Sequence, residues 1–354
     1  MEGILGMCLR WSLAVFPGVL MVGCGLTGTR SIAPIEETIP GRIVLEYSGS
    51  EVGFSPDSRF LAVSGVSSLD MYETGSFERI WTTRSEQLLA DDWFRRVVFS
   101  PDVRTIAVGS STDKVLLFDT RTGALLSVLR GEHGAFGSNY PSQGMMAWSP
   151  DGAVLAANAG YFSTVVWRMD SGDRFVIGHS DDDAVLSLAF SSEGTNLLVG
   201  SEKGVWFYAL ATLLSGASDI DSAEVGRLVP WQQGMESANW IIHSEFAPDT
   251  SMLASSWGEG SPGEYSVTIW ETSTGEQVWR LDGLRGVWSP DGRRMASGTA
   301  NDDGYLIVWD TAGWGELFTL GRYTSELEGL AWSPDGRYLA SAARGEVIVW
   351  DIDR

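Results

Sequence analysis

The chain has 354 residues with 46 acids against 24 bases, a formal net charge of −22, which repels the phosphates of nucleic acid and an anionic membrane surface and suits a basic protein or a cation. Only two cysteines occur, Cys8 and Cys24, so one disulfide at most can form and a disulfide-stapled fold is excluded. The length exceeds one compact core, which leaves two domains or a repeat array, and 42 glycines with 16 tryptophans suit an all-β repeat rich in turns and bulky packing residues.

The first element is an address. Arg10 precedes an apolar run, Trp11 to Val22, of about twelve residues, which as a helix rises about 18 Å. That is too short for the ~30 Å hydrocarbon core of a bilayer and reads as the apolar region of a signal peptide. Met21-Val22-Gly23-Cys24 resembles the bacterial lipobox, in which the Cys is lipidated and becomes the mature N-terminus. An ordinary signal peptide, or an uncleaved anchor with an incidental Cys, is the competing reading. Glu2 cancels Arg10, and Met7 is an alternative start. Residues 25–40 lack apolar periodicity and read as a tether that spans roughly 22 Å as a coil. The expected organisation is a signal peptide over 1–23, a tether over 24–40 and a repeat domain over 41–354.

In the repeat domain an aromatic-Ser-Pro-Asp-Gly motif recurs seven times, with the aromatic at Phe54, Phe99, Trp148, Phe190, Phe246, Trp288 and Trp332. The intervals run from about 42 to 56 residues, the period of a propeller blade. In Trp148-Ser149-Pro150-Asp151-Gly152 the Pro has a φ suited to the second turn position, and Gly follows where φ is positive. Ser58, Val103 and Thr250 stand where that Gly is expected, so the turns at the β-branched Val103 and Thr250 should differ or be strained. Short apolar runs flank each motif as strands. A third strand ends in an aromatic and often an acid, as at Phe118-Asp119, Trp270-Glu271, Trp309-Asp310 and Trp350-Asp351. A second hairpin signal, such as Asp119 to Gly123, leads into a fourth strand, and four strands make one blade.

The Trp-Asp endings and Ser-Pro-Asp-Gly turns resemble WD repeats over about residues 41–354. The resemblance implies an all-β, seven-bladed β-propeller with four antiparallel strands per blade. WD repeats often hold a tetrad with a His from a Gly-His pair. This chain has three His, and only Gly178-His179 forms such a pair, so at most one blade can carry a full tetrad and apolar packing must carry the rest. The fourth repeat is degenerate at Ser191-Ser192-Glu193-Gly194, with an insert near 211–224 that reads as one short helix. The chain stops soon after Trp350, and Arg42 to Tyr47 has no third strand before it, so this segment is expected to supply the outer strand of the last blade.

Catalytic and metal motifs are absent: no Gly-x-Ser-x-Gly, His-Glu-x-x-His, P-loop or Cys-based site occurs. Ser111-x-x-Lys114 reads as a loop, Asp181 to Asp183 as a solvated acidic loop before a calcium site, and Asp303 as a turn residue. His133, His179 and His243 fall in or beside connections between blades. No cofactor or metal is expected. In WD propellers one face is built by loops between blades and between second and third strands. Carried onto this chain, that face holds Trp93, Phe136, Tyr140, Tyr161, Phe162, Trp231, Trp240 and Trp257, ringed by Asp91, Asp92, Asp181 to Asp183 and Glu259. Exposed loop aromatics anchor interfaces. The expected function is a non-catalytic, extracytoplasmic scaffold that binds a protein or peptide, a basic one by charge. It touches the membrane only through a lipid on Cys24. The alternatives are a propeller hydrolase or lyase with its site at the channel mouth, or a TolB-like periplasmic propeller.

Overall fold

The computed structural model describes residues 43–46, 49–88, 93–111, 114–130, 145–158, 162–179, 183–201, 204–215, 224–228, 239–259, 265–299, 304–322, 327–343 and 345–353. They form seven four-stranded antiparallel sheets, the blades of a propeller. Strand β1 (Ile43–Glu46) precedes blade one, which is β2 (Gly49–Phe54), β3 (Phe60–Gly65), β4 (Ser68–Glu73) and β5 (Arg79–Arg84). Blade two is β6 (Phe94–Phe99), β7 (Thr105–Ser110), β8 (Lys114–Asp119) and β9 (Leu125–Arg130). Blade three is β10 (Met146–Trp148), β11 (Val154–Asn158), β12 (Ser163–Arg168) and β13 (Arg174–Gly178). Blade four is β14 (Val185–Phe190), β15 (Asn196–Ser201), β16 (Gly204–Ala209) and β17 (Glu224–Leu228), with the expected short helix, α1 (Leu210–Leu213), before its last strand. Blade five is β18 (Asn239–Phe246), β19 (Met252–Glu259), β20 (Tyr265–Glu271) and β21 (Gln277–Asp282). Blade six is β22 (Leu284–Trp288), β23 (Arg294–Gly298), β24 (Tyr305–Asp310) and β25 (Glu316–Arg322). Blade seven is β26 (Leu327–Trp332), β27 (Tyr338–Ala343) and β28 (Glu346–Asp351), completed by β1.

All seven motif aromatics end an innermost strand. The second and third strands are near-continuous apolar runs buried on both faces, as β8 shows, whereas the outer strand β9 is mostly exposed. Seven apolar clusters of the described residues each join two neighbouring blades. Leu306 and Val308 of blade six pack with Leu339 and Trp350 of blade seven, and Ala340 and Val349 of blade seven pack with Leu61 and Val63 of blade one. Each fully buried Leu or Ile contributes roughly 1.5–3 kcal/mol. Because every blade shares its apolar faces with both neighbours, no blade can bury its core alone, and the ring must close. Closure is antiparallel pairing of β1 on β28, with Ile43 opposite Val349 and Glu46 opposite Glu346.

The Ser-Pro-Asp-Gly turn is latched by its own side chains. Ser149 Oγ donates to Asp151 Oδ1 (2.6 Å) and accepts from the Val154 N–H (2.9 Å), while Gly152, at φ 71°, donates its N–H to the Ser149 carbonyl (2.8 Å). The same latch recurs at Ser55, Ser100, Ser289 and Ser333. Val103 and Thr250 keep this turn in the left-handed region, at φ 62° and 58°, so their turns are strained rather than different.

Candidate functional site

Each innermost strand runs from a loop end, where connections between blades arrive, to a turn end at its aromatic. At the loop end of blade two, Trp93 immediately precedes β6 and is 40% exposed. Its backbone is pinned to the loop after β7: the Ser111 N–H donates to the Trp93 carbonyl (2.9 Å), and the Trp93 N–H to Ser111 Oγ (3.3 Å). The Arg95 guanidinium sits 5.8 Å from the indole centroid, a cation–π contact that holds the ring at the surface.

Trp240 and Trp257, expected in loops, lie in strands. β18 and β19 continue beyond the position where the other blades begin pairing, with Trp240 opposite Gly258 and Ile241 opposite Trp257. Cross-strand pairing overrides the loop-like composition around Gly258, and the inner hairpin of blade five reaches further toward the loop end. Phe136, Tyr140, Tyr161, Trp231, Asp91, Asp92, Asp181, Asp182, His133 and Cys24, with the signal and tether segments, lie outside the described residues. Phe162 is half-buried, and its carbonyl accepts from the His179 N–H (2.7 Å).

Two acid–base expectations are corrected. Asp183 is 0% exposed, so it does not belong to a solvated acidic rim; the chain folds it inward beside His179, whose imidazolium form its charge favours. His243 lies inside β18 rather than beside a connection between blades, and is 3% exposed, because strand pairing with Ser256 carries it into the ring.

The channel holds what the sequence reading missed. In every blade but the third, the innermost strand slips register by one residue near its loop end: between Gly49 and Glu51, Phe94 and Val97, Val185 and Ser187, Ile241 and His243, Leu284 and Val287, and Leu327 and Gly329. A β-bulge re-aims side chains, and here ionisable residues sit at or beside it: Glu51, Arg95, Arg96, His243, Arg285 and Glu328. Arg285 of blade six pairs with Glu51 of blade one at 3.2 Å. His243 Nε2 lies 3.6 Å from Glu245 Oε2, while Glu245 Oε1 accepts the Trp288 N–H (3.1 Å). Burial holds the His243 imidazole below its usual pKa; Glu245 opposes this, and the charges of Arg96 and Arg285 reinforce it. The signal for this set was present in the sequence as charged residues interrupting apolar innermost strands.

At the turn end, neighbouring turns touch. A Cβ at Gly152 would lie 3.6 Å from Pro101 Cδ of the preceding blade, and the Asp335 N–H of blade seven donates to Ser58 Oγ of blade one (2.9 Å). Blade five departs from the pattern, because Ala247 replaces the latch serine and Asp249 Oδ1 accepts from Ser251 Oγ instead (2.7 Å). Two cavities meet at Ala247 and Pro248: one of about 240 Å³ against the innermost strands of blades two to five, and one of about 490 Å³ beside the turn of blade six. Among the described residues no group of three or more His, Cys, Asp or Glu side chains converges to hold a metal ion.

Part of the expected tetrad is present. Trp206 Nε1 donates to Ser201 Oγ (3.1 Å) and Trp309 Nε1 to Ser297 Oγ (2.9 Å). The His179 ring stands edge-on to Trp206, with centroids 6.2 Å apart, and burial lowers its pKa to about 4. The WD domain, G-beta repeat family matches residues 173–208, 264–310 and 314–351. The chain carries WD40 repeats and folds as a WD-repeat β-propeller. Periodic tryptophan protein 2 of Arabidopsis thaliana is 27% identical over 237 residues, 56% of this chain and 24% of that protein. Cell division cycle 20.1, cofactor of APC complex, from the same plant, is 24% identical over 270 residues, 72% of this chain and 53% of that protein. The WD-repeat chain thus spans between a quarter and about half of these relatives' lengths. Two solved structures share the fold. The β-propeller domain of Myceliophteria thermophila Cps50 (Swd1) has a TM-score of 0.68 at 13% identity, covering 88% of this chain and 99% of that one. A chain of the Mitotic Checkpoint Complex has a TM-score of 0.67 at 18% identity, covering 93% and 99%.

Proposed function

We propose that this WD-repeat propeller is a non-catalytic scaffold that binds a protein or peptide at the loop end of its ring, and that a lipid on Cys24 holds it at an extracytoplasmic membrane face. The exposed Trp93 indole carries the binding reading. It is rigidly mounted between Ser111 and Arg95 and offers a large amphipathic surface at little conformational cost. The extended inner hairpin of blade five brings Trp240 and Trp257 toward the same end. Two of the similar proteins work in assemblies by their names, one as a cofactor of APC complex and one within the Mitotic Checkpoint Complex. The net charge of −22 suits a basic partner. Tethering is supported by the apolar run ending in Met21-Val22-Gly23-Cys24 and by the tether-like composition of residues 25–40. A catalytic use of the channel would need an accessible acid–base group, and His243, whose pKa burial lowers, is buried there.

A photo-crosslinking residue at position 93 should capture the partner, and replacing Trp93, Tyr140 and Trp231 together by Ala should cut its recovery at least about tenfold. Unchanged recovery overturns the assignment of the face. Cys24→Ala should abolish acyl labelling and release the protein from membranes; a variant that keeps its membrane association removes the anchor reading and leaves the binding face standing.

A further inference from the structure

The smaller cavity has room for about eight groups of water size, and it reaches solvent beside the exposed Pro248. Apolar side chains, Met145, Met146, Leu188, Phe190, Phe246 and Pro248, line it together with polar groups, Ser244 and Thr250 among them. Two ionisable side chains line it, Arg96 and Glu245. The carboxylate of Glu245 is committed, through Oε1 to the Trp288 backbone and through Oε2 toward His243. Arg285, the next cation around the channel, is engaged by Glu51. Arg96 has no such partner: its guanidinium donates to Met145 Sδ at 3.7 Å, and among the described residues no carboxylate is in ion-pair contact with it. A thioether is a weak acceptor, and a half-buried guanidinium with five donors is left without its counter-charge. Among the described residues, Arg96 thus lines the recess as a cation with no carboxylate in ion-pair contact.

We propose that this recess binds the carboxylate of a small amphipathic acid, with Arg96 gripping the two oxygens and Met146, Leu188 and Phe190 enclosing the apolar stem. Blade five's turn, the one that lacks both latch serine and glycine, forms its entrance. Its lining runs from Arg96 and Met145, toward the loop end of blades two and three, to Thr250 in the turn of blade five, and the proposal does not rest on the protein-binding face proposed above.

Titration calorimetry on the full chain at about 0.15 M salt, where the net charge is screened, tests this. Hexanoate represents a free acid, N-acetyl-leucine the C-terminal residue of a peptide, and hexanol and hexylamine are the controls. We expect at least one acid to bind with a Kd of about 0.1–1 mM, and whichever binds names the source of the carboxylate. Arg96→Gln should weaken it at least tenfold, and hexanol should bind at least tenfold more weakly. Glu245→Gln, which keeps the acceptor for Trp288 and removes a like charge, should tighten it about threefold. If Arg96→Gln fails to fold, Leu188→Trp, which fills the recess from its apolar wall, must abolish binding instead. The proposal is overturned if both acids fail to bind below about 10 mM, if hexylamine binds more tightly than either, or if a folded Arg96→Gln binds as the parent does.

Discussion

Arg285 of blade six reaches past blade seven to the Glu51 carboxylate of blade one, 3.2 Å away, with both side chains largely buried. Arg285 does this from the left-handed region, at φ 52°, within the register slip of β22. The ring is therefore closed twice: at its outer edge by β1 on β28, and at its centre by an ion pair between residues 234 positions apart.

Removing one partner of a buried pair leaves the other charge uncompensated. Glu51→Gln should destabilise the protein by about 2–4 kcal/mol. Arg285→Gly strands Glu51 in turn but should cost less, because it also relieves a left-handed backbone worth roughly 1–2 kcal/mol in a non-glycine residue. Equilibrium urea unfolding of both variants and the double variant measures the coupling, expected at about 1–3 kcal/mol. Additive costs would show that the pair contributes nothing jointly.

Deleting residues 41–47 removes β1 and exposes the edge of β28, where Val347 and Val349 are apolar and buried. The deletant should aggregate or fail to fold, read by light scattering after size exclusion and by thermal melting. A monomer with the parent Tm would refute outer-edge closure.

Val103→Gly should stabilise the protein. It frees a β-branched residue from φ 62° at a gain of about 1–2 kcal/mol, against roughly 0.5–1 kcal/mol for the added backbone entropy of glycine. The net shift is about +1 to +3 °C in Tm. Thr250→Gly should gain less, because the bond from Thr250 Oγ1 to the Asp249 carbonyl (2.7 Å) is lost. Gly152→Val reverses the experiment in an unstrained turn and should lower Tm.

His179 has a folded pKa of about 4 against an ordinary value of 6.5, and burial is the main cause. Its folded state resists protonation, so its contribution to stability is complete above about pH 6.5 and falls as pH drops toward 4. His243, shifted in the same direction, adds to the loss over the acid side of that window. Turn carboxylates such as Asp151 and Asp291 have lowered pKa values through their Ser hydroxyls and matter only below their ordinary value of 3.8. Scanning Tm between pH 7.5 and 4.5 should show a smaller acid loss in His179→Gln than in the parent. An identical loss would show that His179 is not the titrating group.

The repeat was legible because its signals are local. Ser149, Asp151, Gly152 and Val154 make their latch among themselves, and because each copy of the motif is equally local, its seven occurrences read directly as seven turns even where blades four and five lack the full latch. The closing strand was also legible, since an unpaired fourth-strand segment and a blade short of one strand left a single pairing. The site was less so. Trp257 precedes a Gly- and Ser-rich stretch that reads as loop, and only pairing with Ile241 makes it strand. Asp183 and His243 carry polar side chains that composition assigns to the surface, and only the packing of neighbouring blades buries them.

By itself, then, the sequence determined the blade: its strands, its turns, their number and the segment that completes the last one, because each depends on residues close together in the chain. The tertiary structure decided which charges face which. Arg285 with Glu51, Glu245 with Trp288, and Arg96 alone beside Met145 are relations between separate blades. They follow from the ring's radius and from the register slips of the innermost strands, quantities that no local stretch of residues specifies.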